Sequence, residues 1–153
     1  MTKTFKDLFA FLNIANAYQR DDKLMYAFKK MTNEKNGRLQ EAMEEWNEAV
    51  ADLKHNNASV DEKGNIFYVD GPIDQSGNKS RILTFTPAGQ IAVDKGAREM
   101  RKKTFEFEPY YATEIPKDLD EFTRETLIGF VIKEETELKL QENGKEKETV
   151  RQL

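Results

Sequence analysis

The sequence DKLMYAFKKMTNEKNGRLQEAMEEWNEAVADLKH, residues 22–55, repeats apolar side chains three and four positions apart over most of its length. That spacing puts the apolar side chains on one face of an α-helix, so the stretch predicts an unusually long helix that starts at Asp22. The spacing shifts around Asn36-Gly37, and a glycine inside a helix costs about 1 kcal/mol. The pattern is compatible with a kink, a stutter or a break of the helix at this dipeptide.

The second half of this helix carries a regular apolar stripe, which we call the seam. Its members follow one another at steps of four, three, four and three: Leu39, Met43, Trp46, Val50 and Leu53. The opposite face is rich in glutamate, which is typical of a solvated helix face. The other predicted helices are too short to cover the whole seam. We therefore expect the seam to bind a protein partner or a second copy of the chain.

Shorter elements are predicted before and after the long helix. Thr4 is placed to cap a first helix that ends near residues 18–20. The apolar stripe of this first helix consists of Phe5, Leu8, Phe9 and Leu12. Residues 65–69 and 81–86 are rich in β-branched and aromatic side chains and predict a β-hairpin, whose turn-rich tip is expected to be long and mobile.

Two further elements follow the hairpin. Residues 104–108 alternate between apolar and polar side chains, which predicts a third strand beside the hairpin. Residues 116–132 predict a short helix, packed through Leu119, Phe122, Leu127 and Phe130. The chain thus predicts an α+β fold, with a long charged helix packed against shorter helices and a small antiparallel sheet of about three strands.

The length of the chain bounds its organisation. A chain of 153 residues can bury one core without metals or disulfides, so a single domain is expected over residues 1–133. The highly charged residues 134–153 predict either a mobile tail or an edge hairpin that turns at Asn143-Gly144.

No apolar run reaches the roughly 20 residues of a membrane span, and the first residues lack the apolar core of a signal peptide. A cytoplasmic protein is expected.

The segment LTFTPAGQIAVDKG, residues 83–96, has the order strand, turn and helix that is found in phosphate-binding loops. Such loops need several glycines, or a glycine followed by Lys-Ser or Lys-Thr, and Gly89 stands alone in this turn. Thr86 as N-cap and Pro87 as the first helical residue explain the turn as the start of a helix that runs to about Lys103. No cofactor is expected here.

Patterns typical of catalysis and of metal binding are missing from the sequence. The chain has no cysteine and a single histidine, His55, which excludes a cysteine nucleophile and argues against a transition-metal site. His55 follows the seam at the end of the long helix, where an imidazole favours the negative helix terminus. The serines lie in turn segments without a nucleophile-elbow motif. We therefore expect no enzyme, no cofactor, no metal and no small-molecule ligand.

The distribution of charge gives one more candidate site. The formal net charge is −4 and the pI is about 5.2, which argues against general affinity for nucleic acid. The basic residues Lys95, Arg98 and Lys102 nevertheless share one predicted helix face and are candidates for binding phosphate. Alternatively, they complement the helix C-terminus and pair with the acidic long helix.

The order of the elements resembles that of short proteins of unassigned function encoded by tailed bacteriophages. The matching segments are KLMYAFKKMTNEKNGRLQEAMEEW, VDEKGNIFYVDG, TFEFEPYY and DLDEFTRETLIGF. The resemblance covers residues 1 to about 133. It is one of layout, and it implies a phage setting and a non-enzymatic role.

Two functional hypotheses follow. The first is a non-enzymatic protein–protein interaction protein, either an assembly or virion-associated factor or an inhibitor of a host protein, located in the host cytoplasm or the virion. It acts through the seam and the aromatic edge of the sheet, by self-association or by docking to a partner. The second is a nucleic-acid-binding accessory protein that uses the basic helix 95–103, with Tyr110 and Tyr111 placed to stack on bases. Neither hypothesis involves a membrane.

Overall fold

The computed structural model describes residues 1–134, and the α+β class is confirmed by its helices and two separate antiparallel sheets. In chain order the elements are β1 (Thr2–Thr4), α1 (Phe5–Ala17), α2 (Lys23–Thr32), α3 (Gln40–Asn57), β2 (Tyr68–Ile73), β3 (Lys79–Leu83), α4 (Pro87–Met100), β4 (Thr104–Glu106) and α5 (Glu121–Leu127). Apart from Glu134, the predicted charged tail lies outside the described residues.

The described chain groups into two compact units. Unit 1 comprises Met1–Ala42 and the described part of Thr104–Leu153, and unit 2 comprises Met43–Lys103. The chain therefore passes from unit 1 to unit 2 within α3 and returns to unit 1 just before β4. The expectation of a single domain over residues 1–133 stays a prediction.

The long helix expected from Asp22 to His55 is interrupted, and the break at Asn36-Gly37 is the alternative that occurs. Asp22 caps α2 as predicted, accepting a hydrogen bond from the N–H of Met25 at 2.9 Å. After α2, the side chain of Asn33 accepts hydrogen bonds from the backbone of residues 35 and 36, an arrangement that competes with helix. The backbone N–H groups of Gly37 and Leu39 then bond back to the carbonyls of Asn33 and Met31. The chain is thereby folded onto the end of α2 before α3 begins.

The core of unit 1 is built from aromatic rings. Helix α1 starts with the predicted cap, in which Thr4 and Asp7 each bond to the backbone of the other. Its buried stripe is Phe5, Leu8 and Phe11, so Phe11 takes the place that the sequence prediction gave to Phe9 and Leu12. The ring of Phe130 stacks on that of Phe11, with centroids 4.5 Å apart. These rings and the apolar side of α2 form one continuous core.

The third predicted strand is present, but the prediction that it lies beside the hairpin is wrong. Strand β4 pairs with β1, in the antiparallel register Lys3↔Phe105, and not with the hairpin. A further hydrogen bond joins the N–H of Phe107 to the carbonyl of Met1 at 3.0 Å. The pairing places Phe105 in the core, where its ring lies 5.0 Å from that of Phe5. The small sheet of three strands is therefore replaced by two sheets of two strands.

The last predicted helix is short, and its predicted packing is wrong at Phe122. Helix α5 ends at Leu127, and Gly129, with a φ of +89°, turns the chain so that Phe130 and the next two residues enter the core. Phe130 is fully buried, whereas Phe122 is 69% exposed. The expected helical face from Phe122 to Phe130 does not form, because the helix stops before Phe130.

Candidate interaction surface

Two turns of the same construction shape the first half of unit 2. Both have the sequence Asp-x-x-Gly-Asn, at Asp61–Asn65 and at Asp74–Asn78. In each, the Asp side chain accepts backbone N–H bonds from the residues two and four positions later, and the glycine has a φ of +83°. A glycine adopts this left-handed conformation at little cost. The repetition of this motif is a signal in the sequence that the prediction of a turn-rich, mobile tip did not use.

The second turn connects the strands of the hairpin, so the predicted hairpin is confirmed but its strands are displaced. Strands β2 and β3 lie closer to the tip than residues 65–69 and 81–86, and they include residues that were expected to form a mobile loop. The reason is the tight five-residue turn, which holds the chain so that pairing begins at Ile73 and Lys79. The bulge between Asp70 and Ile73 accommodates Gly71 and Pro72.

One face of this hairpin is apolar and exposed. Val69 pairs with Ile82 across the two strands, and Phe67 lies two residues before Val69 on the same face. Their exposed fractions are 48% for Phe67, 39% for Val69 and 45% for Ile82. We call these three residues the hairpin face. Exposed apolar side chains that adjoin one another mark a surface suited to contact with another molecule.

The other face of the hairpin is largely polar and internally paired, although Ile73 lies on it opposite Lys79. The guanidinium of Arg81 lies over the ring of Tyr68, 4.1 Å from its centroid. The Lys79 ammonium lies 3.7 Å from the carboxylate of Asp70. These exposed pairs keep their charges in contact with water, so this face is already suited to solvent.

An open groove of about 830 Å³ extends the apolar surface past the end of the hairpin. It lies against the first Asp-x-x-Gly-Asn turn, and its lining includes Val60, Phe67 and Thr84. Val60 is itself exposed. The groove therefore continues the hairpin face through Phe67, which belongs to both.

The helices of unit 2 meet through glycine. Thr86 caps α4 by accepting the N–H of Gly89 at 3.0 Å, and Pro87 follows, as predicted. A β carbon on Gly89 would lie 2.6 Å from the carbonyl oxygen of Asn57, and one on Gly96 would lie 2.6 Å from the side chain of Leu53. Both glycines therefore permit close approach of α3 and α4. This role for Gly89 was missed, because nothing in the local sequence indicates what lies opposite.

The five seam residues are not equivalent. Leu39 is 1% exposed, precedes the first residue of α3 and belongs to the core of unit 1. Met43, Trp46, Val50 and Leu53 lie on α3 in unit 2 and are half-buried. Leu53 packs against Gly96 of α4. The expectation of partner binding by the seam therefore depends on the four residues in unit 2.

The three basic candidates for phosphate binding are all exposed. Lys95 and Arg98 lie on α4, while Lys102 lies in the turn after the helix, which ends at Met100 and not near Lys103. Tyr110, proposed to stack on bases, lies in unit 1, where the guanidinium of Arg38 is 5.5 Å from its ring centroid. A base stacking on that side of Tyr110 would have to displace Arg38.

Unit 1 contains an open cleft with a group of paired ionisable residues. The cleft, of about 780 Å³, is lined by Arg20, Asp22 and residues 114–116. The Tyr18 hydroxyl donates to Asp22 at 2.6 Å, and Arg20 donates two hydrogen bonds of 2.8 Å to Asp118. Nothing in the sequence indicates the Arg20–Asp118 pair, since the two residues are 98 positions apart.

The pKa values of these residues follow from their contacts. Burial, together with the bond to Asp22, raises the pKa of Tyr18 to about 12. Burial alone would raise the pKa of Asp22, but the hydrogen bonds from Tyr18 and the Met25 N–H hold it below its usual value. The hydrogen bonds from Arg20 lower the pKa of Asp118. Each carboxylate is thus ionised and paired near neutral pH.

Other classes of site can be assessed over the described residues. Within residues 1–134, no group of three or more histidine, aspartate or glutamate side chains is arranged to hold a metal ion. His55 is exposed in the last turn of α3, with its Nδ1 2.9 Å from the carbonyl oxygen of Ala51. None of the helices in the described chain has the length and apolar character needed to cross a membrane.

Comparison with known proteins adds no family to this description. No protein-family model, no curated protein and no solved structure matches the chain. The surfaces of the molecule itself are therefore the guide to its function.

Proposed function

We propose that this protein acts by binding another protein chain, without catalysing a reaction, and that unit 2 is its binding region. The main support is the distribution of buried residues. Of residues 43–103, all of which are described, only Val93 is buried, whereas the described part of unit 1 has fourteen buried hydrophobic residues. A unit with so small a core is weakly stabilised alone, and a partner that covers its apolar side chains adds to its stability.

The hairpin face is the strongest candidate within unit 2 for this contact. Val69 and Ile82 are directly opposite on the two strands, Phe67 lies just before β2, and each of the three is more than one third exposed. The seam contributes less, because its members in unit 2 are half-buried and Leu53 already packs against Gly96. The proposal therefore moves the main contact from the seam to the hairpin.

Two measurements on the full chain test this function. Light scattering between 1 and 100 µM reports self-association, and cross-linking in lysate of the source cell, read by mass spectrometry, reports foreign partners. We expect association in one of the two, with cross-links at Lys63 or Lys79 of unit 2. A strict monomer that acquires no cross-link in unit 2 would contradict the function.

The proposal includes a bacteriophage setting, in the host cytoplasm or the virion, as an assembly or virion-associated factor or an inhibitor of a host protein. The order of elements is the support for this setting. Neighbouring genes test it: genes for phage head or tail components on either side are expected, and a neighbourhood of cellular metabolic genes would contradict it.

A second candidate function is nucleic-acid binding through Lys95, Arg98 and Lys102. The observation in its favour is that all three side chains are exposed within little more than two helical turns. A gel shift at low salt that weakens as salt rises is expected, and Arg98→Glu with Lys102→Glu should abolish it. Lys54→Glu with Lys63→Glu changes the net charge equally elsewhere in unit 2 and serves as the control. Absence of any shift at low salt would reject this function.

A further inference from the structure

The hairpin face also carries an inference about which partner covers it. We propose that two copies of the protein associate face to face through Phe67, Val69 and Ile82, about a two-fold axis. This inference rests on the proposed function and names the partner as a second copy of the chain.

The hairpin needs to be covered on one side only. Within residues 1–134 its sheet consists of β2 and β3, and a two-stranded hairpin is marginally stable in water unless another layer packs on it. The side that carries Tyr68, Arg81 and the Asp70–Lys79 pair is suited to water except at Ile73. The side that carries the hairpin face is not, so it is the side on which a second layer gains stability.

The edges of the hairpin are less suited to association than its face. Pro72 in β2 has no N–H to donate to an added strand. Lys79 and Arg81 place charge along β3, and charged side chains discourage pairing between sheet edges. Packing of one hairpin face on another, as two layers about 10 Å apart, avoids both obstacles.

The exposed apolar area is consistent with a weak dimer. Val60 is also exposed, at 58%, in the groove that continues the hairpin face, whereas Ile73 pairs with Lys79 and lies on the other side. With Val60, the hairpin face presents on the order of 300 Å² of apolar side-chain surface per copy. Because apolar atoms supply about 60% of a typical interface, two copies would bury about 1,000 Å² in total. An interface of that size supports a reversible dimer.

The balance of charge in unit 2 favours a second copy over a partner of opposite charge. Residues 43–103 contain ten acidic and nine basic side chains. Four of the acidic side chains lie on α3, where Glu45, Glu48 and Asp52 are exposed, and four lie within residues 61–74, while five of the basic ones lie within residues 95–103. A surface that is nearly neutral and carries both signs in separate areas can complement itself, as a two-fold interface requires.

Sedimentation or light scattering of the full chain between 1 and 100 µM tests the dimer directly. We expect a species of twice 17.8 kDa at the upper concentrations. Val69→Thr with Ile82→Thr keeps β-branched side chains in the strands and should raise the dissociation constant at least tenfold. Ile91→Thr removes a still more exposed isoleucine, 66% against 45% for Ile82, from α4 and should change the dissociation constant less than twofold. Far-UV circular dichroism checks that each variant is folded.

Cysteine cross-linking locates the interface, since the chain has no cysteine of its own. Ser80 lies on the same side as Ile82, because both side chains approach Gly71. Ser80→Cys with a short bismaleimide should therefore give a covalent dimer. Ser76→Cys, an equally exposed serine in the turn at the tip, should give at least fivefold less.

The outcomes separate this inference from the proposed function. A dimer that the Val69 and Ile82 substitutions leave unchanged, or equal cross-linking of the two cysteine variants, would overturn the inference. A wild-type chain that is monomeric at 100 µM would overturn it as well. In that last case, a foreign protein cross-linked to Lys79 would leave the proposed function standing, and the absence of any partner would reject both.

Discussion

Gly37 lies so close to Asn33 that a β carbon on Gly37 would stand 2.4 Å from the Asn33 carbonyl oxygen and 2.6 Å from its nitrogen. Both atoms belong to the backbone, so neither can move aside as a side chain would. Gly37→Ala should therefore lower the free energy of unfolding by about 1–3 kcal/mol. Chemical denaturation monitored by circular dichroism measures the change. Asn36→Ala alters the neighbouring exposed residue, keeps its backbone bond to Asn33 and should be nearly neutral. Equal effects of the two substitutions would contradict this account.

The Asp74 side chain fixes the tip of the hairpin through its bonds to the N–H groups of Ser76 and Asn78, both 2.9 Å long. Asp74→Ala removes both bonds and should weaken the hairpin by about 1 kcal/mol. Amide hydrogen exchange in β2 and β3 should then be about fivefold faster. Asp74→Asn retains an acceptor oxygen and should stay close to wild type. Unchanged exchange in the alanine variant would mean that the turn is held by other contacts.

Ionisation of the Tyr18 hydroxyl makes the stability of the protein depend on pH at alkaline pH. Its pKa is about 12 in the folded chain, against about 10 for a free tyrosine, so its stabilising effect is complete below pH 10. The effect is lost as pH rises from 10 towards 12, when the hydroxyl that donates to Asp22 ionises. The stability difference between wild type and Tyr18→Phe should therefore shrink over that range, as measured by denaturation at each pH. A difference that stays constant from pH 8 to 11.5 would contradict the raised pKa.

Two phenylalanines near the end of the described chain should differ strongly in how much stability is lost when each is replaced by alanine. Phe130 is fully buried against Phe11 and Phe107, and Phe130→Ala should cost about 3–5 kcal/mol. Phe122 is largely exposed, so Phe122→Ala should change stability by less than about 0.5 kcal/mol. Thermal unfolding compares the two directly. A large loss for Phe122→Ala would mean that α5 packs through that side chain.

Local signals in the sequence were sufficient to predict where α1, α2 and α4 begin. Thr4, Asp22 and Thr86 each cap the helix that was predicted from them, because a capping side chain acts on backbone groups within three residues. The β-hairpin was recognisable for a similar reason, since strand composition and turn residues are local properties. The register of the hairpin was not recognisable, because the register depends on how the Asp74 turn is hydrogen-bonded.

Contacts between distant parts of the chain could not be predicted in the same way. The pairing of Lys3 with Phe105 joins residues about one hundred positions apart, and nothing near either residue specifies the other. The pairing of Arg20 with Asp118 beside the cleft is a second example. The seam illustrates a different limit: regular spacing grouped Leu39 with Leu53, although a turn between helices puts Leu39 in another core.

The return of the chain to unit 1 after Lys103 has a consequence for its synthesis. Residues 1–42 leave the ribosome first, yet Phe11 meets Phe130 and β1 meets β4 only after more than sixty further residues have been translated. At 5–20 residues per second, that interval lasts several seconds. During this interval the apolar side chains of residues 1–42 stay exposed on the nascent chain. Slow translation or a shortage of chaperones should therefore reduce the yield of folded protein.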